Sequence, residues 1–148
     1  MFLRLFVSLS LTALVFYLSA CGATPVPTVN PGAALRDATW TLVYMGAPAD
    51  QATALTKYNN ITALFGADGR LTGKGGCNTY MGGYTLDDSR LTVTPLASTK
   101  MACPDGNIMQ QEQMYLGALQ KGGTVTVSGN GLRILFDNGA GVLVFTRG

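Results

Sequence analysis

The side chains here that could do chemistry are three cysteines, Cys21, Cys77 and Cys103, and eight carboxylates, with no histidine anywhere in the 148 residues. Without an imidazole, Ser-His-Asp and Cys-His catalysis, His-ligated zinc and a switch titrating near neutrality are excluded within this chain. Paired carboxylates work as acid and base only when both converge on one bond. Asp87 and Asp88 are adjacent in sequence, and neighbours along a strand point to opposite faces, so the pair is assigned to a turn. Glu112 and Asp137 stand apart from any partner of useful spacing, and no cluster has metal-ligand spacing. The sequence therefore predicts no catalytic, cofactor-binding or metal residues.

Cys21 has a different context. Residues 1–20 carry one charge, Arg4, followed by an apolar run from Leu5 to Tyr17. That run is shorter than the ~20 residues of a spanning helix and fits a secretion signal. It ends in Leu18-Ser19-Ala20-Cys21-Gly22, which resembles the bacterial lipobox, where small residues fit the signal peptidase and the Cys thiol receives a diacylglycerol. Each buried methylene of an acyl chain such as palmitate contributes about 0.8 kcal/mol, so two or three chains hold a protein on a bilayer without a spanning segment. Gly22 occupies the place where Asp commonly directs inner-membrane retention, so an outer-membrane address is expected if the source has that membrane. Residues 22–36 include Pro25, Pro27 and Pro31 among small residues and are expected to be a tether, with the folded domain starting at Asp37 and running to residue 148. With Cys21 acylated, Cys77 and Cys103 remain as an even count in an oxidising compartment, for which one disulfide is the simplest arrangement. Two separate buried thiols and a redox pair are the alternatives, the latter lacking both Cys-x-x-Cys and a basic partner.

The elements that must position these residues are mostly strands. Alternation in Thr39 to Met45 puts Trp40, Leu42 and Tyr44 on one side. Asn60 to Phe65 and Leu71 to Gly73 flank the turn Ala67-Asp68-Gly69-Arg70, and Tyr84 to Leu86 and Leu91 to Val93 flank Asp87 to Arg90. Thr124 to Val127, Leu132 to Phe136 and Val142 to Phe145 are separated by Asn130-Gly131 and Asn138-Gly139, strong turn formers, and predict a carboxy-terminal meander. The spacing of Ile108, Met109, Tyr115, Leu116 and Leu119 predicts one helix over 107–121, with Gln110, Gln111 and Gln113 toward solvent and Gly122-Gly123 as its stop. Several antiparallel strands with one helix predict an α+β domain with a curved sheet. At ~100–200 residues per domain, one domain is the limit.

The glycine-rich stretch from Gly73 to Tyr84 has no Gly-Lys-Ser/Thr ending and no following helix, so a bent strand explains its glycines better than a phosphate cradle. Its run Gly76-Cys77-Asn78-x-Tyr80-x-Gly82-x-Tyr84, followed by Thr99-Lys100-Met101-Ala102-Cys103-Pro104, resembles the META/HslJ family of small secreted bacterial domains. Trp40-x-Leu42, Phe65-x-x-Asp68-Gly69-Arg70 and Glu112 with Tyr115 and Leu119 add to the resemblance, which spans about Thr39 to Phe145. Gly83 departs from it, standing where members often carry Ser or Thr. The resemblance implies a half-barrel-like antiparallel sheet wrapped on one helix, and it implies no enzyme. At its family position Glu112 is expected to accept hydrogen bonds from strand backbone or from Asn78, a structural role.

Members of that family are associated with heat-shock response, novobiocin resistance and, in parasite relatives, virulence or secretion. The expected function is thus a non-enzymatic, lipid-anchored envelope protein of the stress response, facing outside the cytoplasm and binding an envelope protein or ligand, with Tyr80 and Tyr84 as possible exposed contacts. The alternatives are a carrier or sensor of an apolar small molecule, held between the sheet and a Met-bearing helix, and a hydrolase using Asp or Glu. A net charge of +2 with no Lys/Arg run argues against nucleic acid as a partner.

Overall fold

The computed structural model describes residues 31–50 and 60–147. The secretion signal, Cys21 and the tether as far as residue 30 lie outside the described residues. In chain order the elements are α1 (Pro31–Leu35), β1 (Thr39–Gly46), β2 (Ile61–Phe65), β3 (Arg70–Gly75), β4 (Thr79–Asp87), β5 (Arg90–Val93), β6 (Ala97–Ser98), α2 (Gly106–Gln120), β7 (Gly123–Ser128), β8 (Gly131–Phe136) and β9 (Gly141–Thr146).

All strand pairings are antiparallel. They run β3-β2-β1-β9-β8-β7-β5-β4, and β4 pairs back onto β3, so eight strands close a ring. The long strand β4 makes this possible. Its first half pairs β3 along one edge, while its other edge takes β5 and then the short β6. The α+β class is thus present, but the half-barrel expectation is corrected to a closed barrel. Alternation shows which side of a strand faces inward and carries no information about pairings between strands far apart in the chain. Two such pairings close the ring: Thr41 to Gly46 of β1 against Val142 to Thr146 of β9, and Arg90 and Leu91 of β5 against Thr124 and Gly123 of β7.

Eight strands give an interior just wide enough for side chains to fill, and they fill it here. Trp40, Leu42, Ile61, Phe65, Leu71, Leu91, Leu132, Ile134 and Phe145 are essentially inaccessible, joined by Tyr115 and Leu119 from α2. Asp105 caps α2, its carboxylate accepting from the Asn107 amide at 2.8 Å, and Gly122 ends it in a left-handed conformation (φ 64°). Ile108 and Met109, expected on the packed face, are exposed in the first turns, and the buried position one turn later belongs to Glu112.

The folded part begins before Asp37. Residues 31–35 form α1, Leu35 lies in the core, and the Trp40 indole N–H donates to the Leu35 carbonyl at 2.9 Å. A short segment with three nearby prolines reads as tether by composition, but the Leu35 side chain is fully buried in the core and its carbonyl holds the Trp40 indole. Asp87 and Asp88 do form a turn, with Asp88 at φ 50° between β4 and β5.

Candidate functional site

The glycine-rich stretch is a hairpin bend. β3 and β4 are joined through Gly76, Cys77 and Asn78, and the Gly75 amide donates to the Asn78 carbonyl at 2.8 Å. Glu112 turns its carboxylate from α2 into this bend. The Asn78 amide donates to Oε2 at 2.8 Å, the Cys77 amide to the same oxygen at 3.2 Å, and Asn78 Nδ2 to Oε1 at 2.9 Å. Residue 75 must be glycine for the helix to come this close, because a Cβ there would sit 2.6 Å from Glu112 Cγ.

Asn78 continues the network on its other side. Its Oδ1 accepts from the Thr99 hydroxyl at 2.9 Å and from the Met101 amide at 2.8 Å. Cys77 and Cys103 are joined as a disulfide, their Cα atoms 6.2 Å apart, so the same two segments are also tied covalently. Glu112 and Asn78 are the buried polar side chains among the described residues, at 6% and 4% exposure, and each has its partners. A buried carboxylate is tolerable only when several donors meet it, and three do so here. A carboxylate so engaged holds two segments together.

Tyr80 and Tyr84, expected as exposed contacts, are buried, which corrects that expectation. Both stand on the inward face of β4, whose pattern alternates buried Tyr80 with exposed Met81. The Tyr84 hydroxyl donates to the Gly66 carbonyl at 2.8 Å, and its ring packs edge-on against Phe65. The Tyr80 hydroxyl donates to the Thr62 carbonyl at 2.9 Å and lies 2.8 Å from the Tyr115 hydroxyl. With the proton of Tyr80 committed to Thr62, Tyr115 is the donor of that pair. Burial pushes both phenols upward, Tyr80 to well above the ordinary range and Tyr115 likewise, the latter raised further by its neighbour Tyr80.

Two adjoining surface grooves share Lys121 and Phe136. One, of about 470 Å³, is mainly apolar and lies between α2 and the barrel, lined by Met45, Gly46, Met114, Gly117, Ala118 and Phe136 beside Gln113 and Lys121. The other, of about 420 Å³, is polar, with Arg90, Thr124, Asp137 and Asn138 around the same Lys121 and Phe136. The Phe136 ring lies across Gly141, its cross-strand partner, where any Cβ would fall 2.2 Å from ring carbons. Lys121 Nζ sits 5.3 Å from the centre of that ring and is ion-paired with Asp137.

The sequence model of the META domain family matches residues 33–148. The chain belongs to the META domain family. A protein from Burkholderia xenovorans, solved by NMR, is 29% identical over 91% of this chain and 99% of its own, with a TM-score of 0.63. A second protein solved by NMR, at 22% identity, covers 80% of this chain and 94% of its own with a TM-score of 0.59. A crystal structure of a DUF4847 family protein from Bacteroides vulgatus, at 18% identity, covers 76% of this chain and 93% of its own with a TM-score of 0.53. The last two support the fold alone. No curated protein matches the chain.

In this META domain the motif residues Gly76, Cys77, Asn78, Thr99, Met101, Cys103 and Glu112 come together at one bend, while Tyr80 and Tyr84 point into the barrel and Lys100 is exposed beside Met101. Gly82 lies further along β4, against Leu96. Among the described residues, no group of three His, Cys, Asp or Glu side chains is placed to hold a metal. The groove residues Met45, Met114, Lys121 and Phe136 went unnoticed as a group in the sequence, where they stand in three separate segments, β1, α2 with its C-cap, and β8. The one signal for them is Gly117, a glycine in a helix interior.

Proposed function

We propose that this META domain protein is a lipid-anchored, non-enzymatic component of the cell envelope that acts in stress by binding another envelope component. The observation that carries the reading is the order of features in residues 1–21: a short apolar run, small residues, then Cys21. Acylation there, with a tether of residues 22–30 reaching up to about 28 Å if extended at ~3.1 Å per residue, presents the barrel outside the headgroups. The non-enzymatic part is supported by Glu112, the one buried carboxylate among the described residues, whose two oxygens accept from three N–H groups of the β3–β4 bend. The stress role rests on the associations of the family.

The anchor is tested by expressing the full chain in a bacterial host fed an alkyne-bearing palmitate, beside Cys21→Ala. The wild type is expected to carry the label and the variant to lose it. An unlabelled wild type, or equal labelling of the variant, overturns the anchor.

A second reading, a carrier of an amphiphilic or apolar small molecule, is favoured by the groove beside α2. The barrel interior is filled by Trp40, Phe65, Tyr115 and Phe145, so the site for such a molecule is this groove between α2 and the outside of the barrel, and not the barrel interior.

A further inference from the structure

We infer that the paired grooves around Lys121 and Phe136 bind a single-chain fatty carboxylate, with its chain along Met45, Met114 and Gly117 and its head toward Arg90 and Lys121. This deepens the carrier reading and does not depend on acylation of Cys21. Three observations carry it. The apolar groove borders the polar one, since Lys121 and Phe136 line both. Pockets for small ligands combine mostly apolar walls with a few placed polar groups and span about 300–1,000 Å³. The two grooves have that composition and that scale.

The charge selects the sign of the head group. Lys121 carries Asp137 as a counterion, whereas Arg90, exposed at the start of β5, has no ion pair among the described residues. The polar groove is therefore left one positive charge in excess, complementary to a single anion. A guanidinium meets a carboxylate through two parallel N–H donors, and Lys121 borders both grooves with its Nζ beside Asp137 and the Phe136 ring.

The floor of the apolar part is a helix glycine that nothing in the chain requires. A Cβ on Gly117 would meet no atom within 4 Å, so the protein's own packing leaves the space open, although glycine weakens a helix interior. Met114, 54% exposed, and Met45 flank it. Unbranched thioether side chains repack around chains of varied shape, which suits a flexible alkyl group.

The test uses the full chain in phosphatidylcholine vesicles with a diazirine-bearing dodecanoate, irradiated and mapped by peptide mass spectrometry. Crosslinks are expected in the peptides holding Met45, Met114 or Phe136, suppressed by excess dodecanoate and not by dodecanol or dodecyltrimethylammonium. Gly117→Leu projects an isobutyl group into the groove from a position where a Cβ meets no atom within 4 Å, and it is expected to lower labelling at least tenfold with an unchanged circular dichroism spectrum. Arg90→Gln combined with Lys121→Gln is expected to lower it several-fold. Equal suppression by dodecanol, or undiminished labelling in Gly117→Leu, overturns the inference. Saturable labelling elsewhere on the chain overturns this site while sparing the carrier reading, and no saturable labelling anywhere overturns both.

Discussion

Asn78 meets Glu112 twice, through its backbone amide on Oε2 at 2.8 Å and its side-chain amide on Oε1 at 2.9 Å. The two residues are 34 apart in the chain, so this contact fixes helix α2 onto the β3–β4 bend. Because the Oδ1 of Asn78 is free to face the other way, it also accepts from Thr99 and Met101, and one side chain links three segments. These hydrogen bonds join the bend, the helix and the Thr99–Met101 segment at one point.

Removing the carboxylate leaves two buried donors and one part-buried donor without an acceptor. Each unsatisfied group costs about 1–3 kcal/mol, partly relieved by entering water, so Glu112→Ala is expected to lower stability by about 2–4 kcal/mol in urea unfolding. Glu112→Gln keeps one acceptor but places an NH₂ against Asn78 Nδ2, and a loss of about 1–2 kcal/mol is expected. A Gln variant as stable as the wild type would contradict the role assigned to the charge.

The disulfide acts through the unfolded chain. Closing the loop between Cys77 and Cys103, 26 positions apart, is worth about 3.5 kcal/mol on the chain-entropy estimate. The double change Cys77→Ala with Cys103→Ala is expected to lose about that much stability while keeping its fold, since Asn78 still holds the Thr99–Met101 segment. The comparison is thermal unfolding plus far-ultraviolet circular dichroism, and an unfolded double variant would count against the hydrogen-bonded tie.

Alkaline pH should unfold the barrel through Tyr80 and Tyr115. Their folded values are raised above the ordinary 10.0 by burial, so the stability they give is complete below pH 10 and falls as pH rises beyond it, where the unfolded chain alone ionises. Two such groups give a slope that approaches about 2.7 kcal/mol per pH unit and amounts to about 2 kcal/mol between pH 10 and 11. Replacing both by Phe is expected to remove most of that slope in urea titrations between pH 10 and 11.

Gly117→Ala adds a methyl group in open space and removes a helix-interior glycine. It is expected to stabilise the protein by about 0.5–1 kcal/mol in thermal unfolding. A destabilised variant would mean that the groove floor is already in use by the chain itself.

Much of the fold can be read from period and turn chemistry. Trp40, Leu42 and Tyr44 alternate cleanly, and Asn130-Gly131 and Asn138-Gly139 punctuate the last three strands. Closure of the barrel is hidden, because Thr41 pairs with Thr146 across nearly the whole domain and neither residue carries a mark of its partner. Leu35 is hidden for a related reason: a lone apolar residue after a Pro-rich stretch has no periodicity to display. The Glu112 cluster was legible through family resemblance, whereas physics alone gives only a carboxylate on the apolar side of a helix. Tyr80 and Tyr84 misled because Gly82 and Gly83 stand between them and blur the alternation that marks the inward face of β4.

The central claim is that the motif residues form a positional tie between helix and bend, and amide hydrogen exchange of the full chain tests it most directly. In Glu112→Ala, which removes both acceptor oxygens, the amides of Cys77, Asn78 and Met101 are expected to exchange at least tenfold faster than in the wild type, with the amides of β8 and β9 changing far less. Unchanged protection at Cys77, Asn78 and Met101 would contradict the account.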